Sequence, residues 1–120
     1  MKNFVQEGKV RTITNSSGAA YVSGQVVRVG KQLAVCAGAI ANGATGEAAF
    51  EGVFTVPKVS GAVIAEGENI IWDASAAAFD DNLATPAAGD VSNAVIAIEA
   101  AGNGVTTIKA QFANLIGTVT

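Results

Sequence analysis

The residues able to do chemistry in this 120-residue chain are few, and histidine is missing altogether. Without histidine there is no Ser-His-Asp triad, no Cys-His pair and no HExxH zinc helix. The single thiol, Cys36, lies inside the apolar run "QLAVCAGA". It has no partner in sequence to activate it, so it reads as a small buried hydrophobe. Lys58 and Ser60 have the spacing of a Ser-Lys dyad. Lys58 follows Pro57 at a strand end, which favours a solvated lysine over a catalytic one. The acidic group "FDDNLATPAAGD" offers Asp80, Asp81, Asn82 and Asp90 as oxygen ligands. Their spacing is not that of an EF-hand, and adjacent aspartates are more typical of a hydrated loop. A pair of carboxylates could hydrolyse a glycoside, but aromatic residues to stack a sugar are scarce. The glycines of "GAIANGATGEA" are not followed by the Lys-Ser/Thr of a phosphate-binding loop, and Glu47 after Gly46 would repel phosphate. Catalytic residues, a metal and a cofactor are therefore all expected to be absent.

The elements that would position these residues are short strands. In "GVTTIKAQF", Thr106, Ile108, Ala110 and Phe112 share one face and Thr107, Lys109 and Gln111 the other. That alternation is a half-buried strand. "NAVIAIEAA" precedes it, and the intervening Asn103-Gly104 suits a type I′ turn. Residues 94–112 are thus expected to form a hairpin. "KVRTIT" (9–14), "QVVRVG" (25–30), "QLAVCA" (32–37), "EAAFEGVFTVPK" (47–58) and "NIIWD" (69–73) add further strands. The alanine-rich stretches are broken by Gly, Pro and Asn, leaving at most one helical turn near residues 80–84. Many short strands between turn residues predict a single compact all-β domain, a β-sandwich or β-barrel with a jelly roll among the options, preceded by an extended N-terminal arm over residues 1–8.

Composition sets further bounds. Half the residues are apolar and 14% are charged, which is the composition of a globular chain. Large side chains are few, so each buried residue contributes little at about 25 cal/mol per Å². Self-association would offset this, and a trimer is expected ahead of a dimer. The net charge of −3 is of the wrong sign for phosphate contacts, so nucleic acid is not an expected partner. No apolar run approaches the roughly 18 residues of a membrane span, and the N-terminus lacks the apolar core of a signal peptide. Charge is unevenly placed, at +3 over residues 1–60 and −6 over residues 61–120. A bipolar surface of this kind could meet complementary charge on a neighbour.

One further pattern concerns order and spacing. "GVFTVPK" (52–58), then "EGENIIWD" (66–73), together with the opening "NFVQEG" and the late strand pair, resemble a family of small phage capsid cement or decoration proteins. Lys9 stands where that family often has an acidic residue, Glu68 replaces its usual aspartate, and residues 74–93 are richer in alanine. The resemblance implies a β-sandwich or β-barrel protein, made in the bacterial cytoplasm and attached in many copies outside the mature icosahedral head. There it would stabilise the shell by bridging neighbouring subunits of the major capsid protein. Some relatives have carried a recombinase label, which the missing phosphate-binding loop argues against. Phe4 and Val5 are expected as apolar anchors of a contact arm, with Lys9, Arg11, Arg28 and Lys31 as basic contacts to capsid or sister subunit. A host-attachment or fibre-associated module is the alternative; no aromatic cluster supports glycan binding.

Overall fold

The computed structural model describes residues 9–120. Ten strands are formed: β1 (Val10–Thr14), β2 (Val26–Val29), β3 (Gln32–Cys36), β4 (Thr45–Ala49), β5 (Glu51–Pro57), β6 (Asn69–Asp73), β7 (Ala78–Asp80), β8 (Val91–Ala97), β9 (Thr107–Ala113) and β10 (Thr118–Val119). The described residues contain no helix. The expected all-β architecture is what the chain adopts.

Two sheets result. The first is four-stranded in the order β1-β4-β3-β2, and all its pairings are antiparallel. The second runs β5-β9-β8-β6-β7, with β10 added beside β8. This second sheet curls until its ends meet, where Lys58 bridges Phe79 and the Val59 amide donates to the Phe79 carbonyl at 2.9 Å. The chain crosses from one sheet to the other at Phe50, which is fully buried. The segment 47–58, read from sequence as one strand, is therefore two. Its alternation runs on through the crossing, so periodicity alone does not reveal the break.

The cores follow from the strand patterns. β9 alternates buried Ile108, Ala110 and Phe112 with exposed neighbours, as expected of a half-buried strand. Inside the curled sheet, Trp72, Phe79, Phe112 and Phe54 meet edge to face in sequence, with centroids 5.0, 6.2 and 5.7 Å apart. β3 is buried on both faces, which explains its unbroken apolar run. Leu33 and Val35 join the core shared with the second sheet. Ala34 and Cys36 face the opposite core, built around Ile13, Val27, Ile40, Ala48 and Phe50. Loops fold over that second core, pinned by the Tyr21–Ile40 bridge and by Asn15, whose buried amide donates to the Ala19 and Ile40 carbonyls. Cys36 is a packing residue, and burial pushes its thiol up from its ordinary value.

The late hairpin forms, with Val95 opposite Phe112 and Ala97 opposite Ala110. Its connection is longer than the two-residue turn expected at Asn103-Gly104. Ala101 is drawn aside to pair with Ile64, and the Gly104 amide donates to the Ser60 carbonyl at 2.6 Å. Of the two turn residues only Gly104 has positive φ, at 92°, and the Val105 amide closes back on the Gly102 carbonyl. That is the pattern of a type II turn, not type I′. Tertiary pairing has overridden the local hairpin preference.

Candidate functional site

The ionisable side chains examined for chemistry are held in structural roles. Lys58 is buried, contrary to the solvated lysine that its neighbouring proline suggested. Its Nζ donates to the backbone carbonyls of Val59 at 2.8 Å, Val105 at 3.0 Å and Ser60 at 3.4 Å. The ammonium thus ties the end of β5 to the loop before β9. Its contact with Ser60 is to the main-chain oxygen, so the pair is not arranged as a Ser-Lys dyad.

The carboxylates behave likewise. Asp90 is buried and accepts two amides, from Ala74 at 3.0 Å and Ala87 at 2.9 Å. Asp73 Oδ1 accepts from the Ser75 hydroxyl at 2.8 Å and from the Ser75 and Ala76 amides. The Ser75 hydroxyl first, then the Ala76 amide, hold its carboxyl below the ordinary carboxylate range. Asp80 accepts from the Asp81 amide, and Asp81 from the Leu83 amide at 2.7 Å. Glu68 reaches two loops, accepting from the Ala65 amide at 2.9 Å and the Asn82 amide at 2.8 Å. Among the described residues no three acidic or thiol groups converge as a metal cage would need.

The residues expected to make contacts are distributed as follows. Phe4 and Val5 lie outside the described residues. Lys9, Arg28 and Lys31 are exposed on the four-stranded half of the molecule. Arg11 is half-buried: its guanidinium stacks 3.7 Å from the Phe50 ring centre and donates to Gln32 Oε1 at 2.5 Å. Gln32 in turn donates to Asn114 Oδ1 at 2.9 Å, linking the two sheets. Sequence reasoning missed the exposed apolar tips Leu83, Ile116, Val63 and Val22. All four stand in loops, where no alternation marks which residues face solvent.

Two of the grooves on the described surface border the four-stranded sheet. One, of about 490 Å³, lies between the Val22–Gln25 turn and Pro57, Trp72 and Ala77. The other, of about 360 Å³, is lined by β1 and β2, the edge strands of the four-stranded sheet, with Arg11, Arg28 and Tyr21 on its walls. The molecule is longer than it is thick, 47 × 34 × 24 Å along its principal axes. Open clefts, exposed apolar tips and charged groups tied to backbone thus make up the described surface.

A rigid β scaffold presenting such a surface fits a phage structural protein associated with the capsid, and comparison with known families places the chain in that class. A family model described as phage cement protein matches residues 5–112. The chain belongs to the phage cement protein family. No curated protein and no solved structure matches it. Within the blocks that carry the earlier resemblance, the lysine of "GVFTVPK" is the carbonyl-capped Lys58, the tryptophan of "NIIWD" packs on Phe79, and its aspartate caps the next turn. These side chains secure the scaffold.

Proposed function

We propose that this protein binds the outer surface of the mature phage head and stabilises it by bridging neighbouring subunits of the major capsid protein, through contact and without catalysis. Membership of the cement family is the observation that carries this reading. A shell under internal pressure yields where its subunits separate, so a useful additive spans that seam. A scaffold whose loops are fixed by Lys58, Asp90 and Glu68 can hold contact points at set distances. Each copy need bury only about 800 Å² per partner. Simultaneous weak contacts then reinforce one another through effective concentration.

The contact set in this reading is the arm Met1–Gly8, with Phe4 and Val5 as apolar anchors, together with Lys9, Arg28 and Lys31. Arg11, stacked on Phe50, fixes β1 beneath them. The protein self-associates on the lattice, as a trimer at a local three-fold ahead of a dimer. Neither DNA nor a membrane takes part.

The test uses purified expanded heads with and without the protein, imaged and then heated. Added density on the outer surface and a higher temperature of DNA release are expected. Heads that release DNA at the same temperature when fully occupied would remove the stabilising role. Deleting residues 2–7 should lower occupancy; undiminished binding would remove the arm from the contact set.

A further inference from the structure

The charge imbalance seen along the sequence divides between the two sheets. Residues 9–50, which build the first sheet, hold Lys9, Arg11, Arg28 and Lys31 against Glu47 alone. Residues 51–120 hold Lys58 and Lys109 against eight carboxylates, and Lys58 is buried. An exposed apolar tip lies in the neighbourhood of each sign.

The acidic tip is Leu83, 88% exposed and the most exposed large apolar residue in the described chain. Its amide is held by Asp81, and Glu68 bonds backbone on both loops, Ala65 on one and Asn82 on the other. Glu66 and Asp81 are carried on these same two loops, and Asp80 ends the strand before the second. The basic tip is Leu115-Ile116, 46% and 73% exposed. Gly117 donates to the Lys31 carbonyl at 2.7 Å, and Gln32 reaches Asn114, so this apolar pair is fixed beside the turn that carries Lys31. Arg28 lies on the strand entering that turn. Both tips are set by hydrogen bonds, so neither must be ordered upon docking.

We infer that these two patches are the halves of one interface between copies of this chain: the Leu83 tip of one copy docks against the Leu115-Ile116 pair of the next, with Arg28 and Lys31 facing Glu66 and Asp80. An apolar centre within a polar rim of opposite charge is the usual anatomy of a specific interface. A second copy is the occupant because the complementary patch is carried by the chain itself. The halves are unlike, so every copy offers one of each, and the contact repeats around a ring or is made twice about a two-fold. The inference rests on the self-association proposed above and adds where it occurs.

Sedimentation of the full-length protein without heads tests it, using the pair Arg28→Glu/Lys31→Glu and the pair Glu66→Lys/Asp80→Lys. Each double variant alone should associate about tenfold or more weakly than wild type. A single chain carrying all four substitutions should recover association, since each reversed rim then meets a reversed rim in a ring of any size. Ile116→Ser should weaken association with no change of charge, and circular dichroism establishes that every variant is folded. Wild type that stays monomeric at high micromolar concentration overturns self-association itself. An oligomeric wild type, with folded double variants that associate equally well or a folded fourfold variant that fails to recover, overturns this interface alone and leaves head binding standing.

Discussion

The guanidinium of Arg11 sits 3.7 Å from the centre of the Phe50 ring, at the residue where the chain passes between its two sheets. A cation over an aromatic face contributes about 0.5–2 kcal/mol, the upper end where water is excluded. Arg11 Nε is buried without a hydrogen-bond partner, while another of its nitrogens donates to Gln32. Arg11→Ala is expected to cost about 1–2 kcal/mol. Arg11→Lys should recover part of it, because an ammonium lacks the planar fork that stacks and donates together. Urea unfolding of the three proteins measures this, and an alanine variant as stable as wild type would show that the stack contributes nothing.

Lys58 is the sharper case. A buried ammonium is tolerated only when its protons are satisfied, and here three carbonyls serve. Lys58→Met keeps the aliphatic stem but leaves the Val105 oxygen without its donor, while the Val59 and Ser60 oxygens keep the Ala62 and Gly104 amides. A loss of about 3 kcal/mol is expected, together with faster amide exchange in the 102–106 loop. Thermal unfolding at neutral pH reads the first and hydrogen exchange the second. A methionine variant of unchanged melting temperature would contradict the clamp.

Acid should loosen the turn after β6. The Asp73 carboxyl is held below its ordinary value of 3.8 by the Ser75 hydroxyl and the Ala76 amide. A depressed folded value means that ionised Asp73 adds stability above the ordinary value, and the addition disappears as pH falls through the folded one. The stability gap between wild type and Asp73→Asn should therefore be level near neutrality and narrow on acidification. Unfolding free energies between about pH 2 and pH 6 record it. A gap that widens toward acid would reverse the sign and refute the assignment.

How much of this could be read from sequence depends on where the information resides. "NIIWD" and "QLAVC" declared themselves because their branched residues have no rival conformation, and β6 and β3 begin where expected. β7 and β10 did not, having three and two residues and existing only through partners brought from elsewhere. Lys58 was misread because local sequence shows the proline before it and not the distant Val105 carbonyl that accepts its hydrogen bond. The uneven charge was visible, but its boundary at the Phe50 crossing was not. Before the fold is known, Leu83 and Ile116 look like any other core residues.

The last strand depends on one missing side chain. Four residues of β8, from Ser92 to Val95, lie opposite seven of the returning chain, from Phe112 to Thr118. The excess is taken up in a bulge where Asn93 and Asn114 adopt left-handed backbone, φ 64° and 58°, which asparagine tolerates better than most residues. Gly117 closes that bulge against β8. A Cβ there would lie 2.5 Å from Val91 Cγ1 and 2.8 Å from the Ser92 carbonyl oxygen. The second of these is backbone within a paired strand and cannot swing aside. Gly117→Ala should therefore part β10 from β8 and break the bond from Gly117 to Lys31, at a cost of about 1–3 kcal/mol. Because Gly46 meets only the Ile40 side chain, Gly46→Ala serves as a comparison in which a rotamer change can relieve the contact. Amide exchange should rise at residues 117–120 in the first variant alone, and equal protection there in both would show that β10 does not require this glycine.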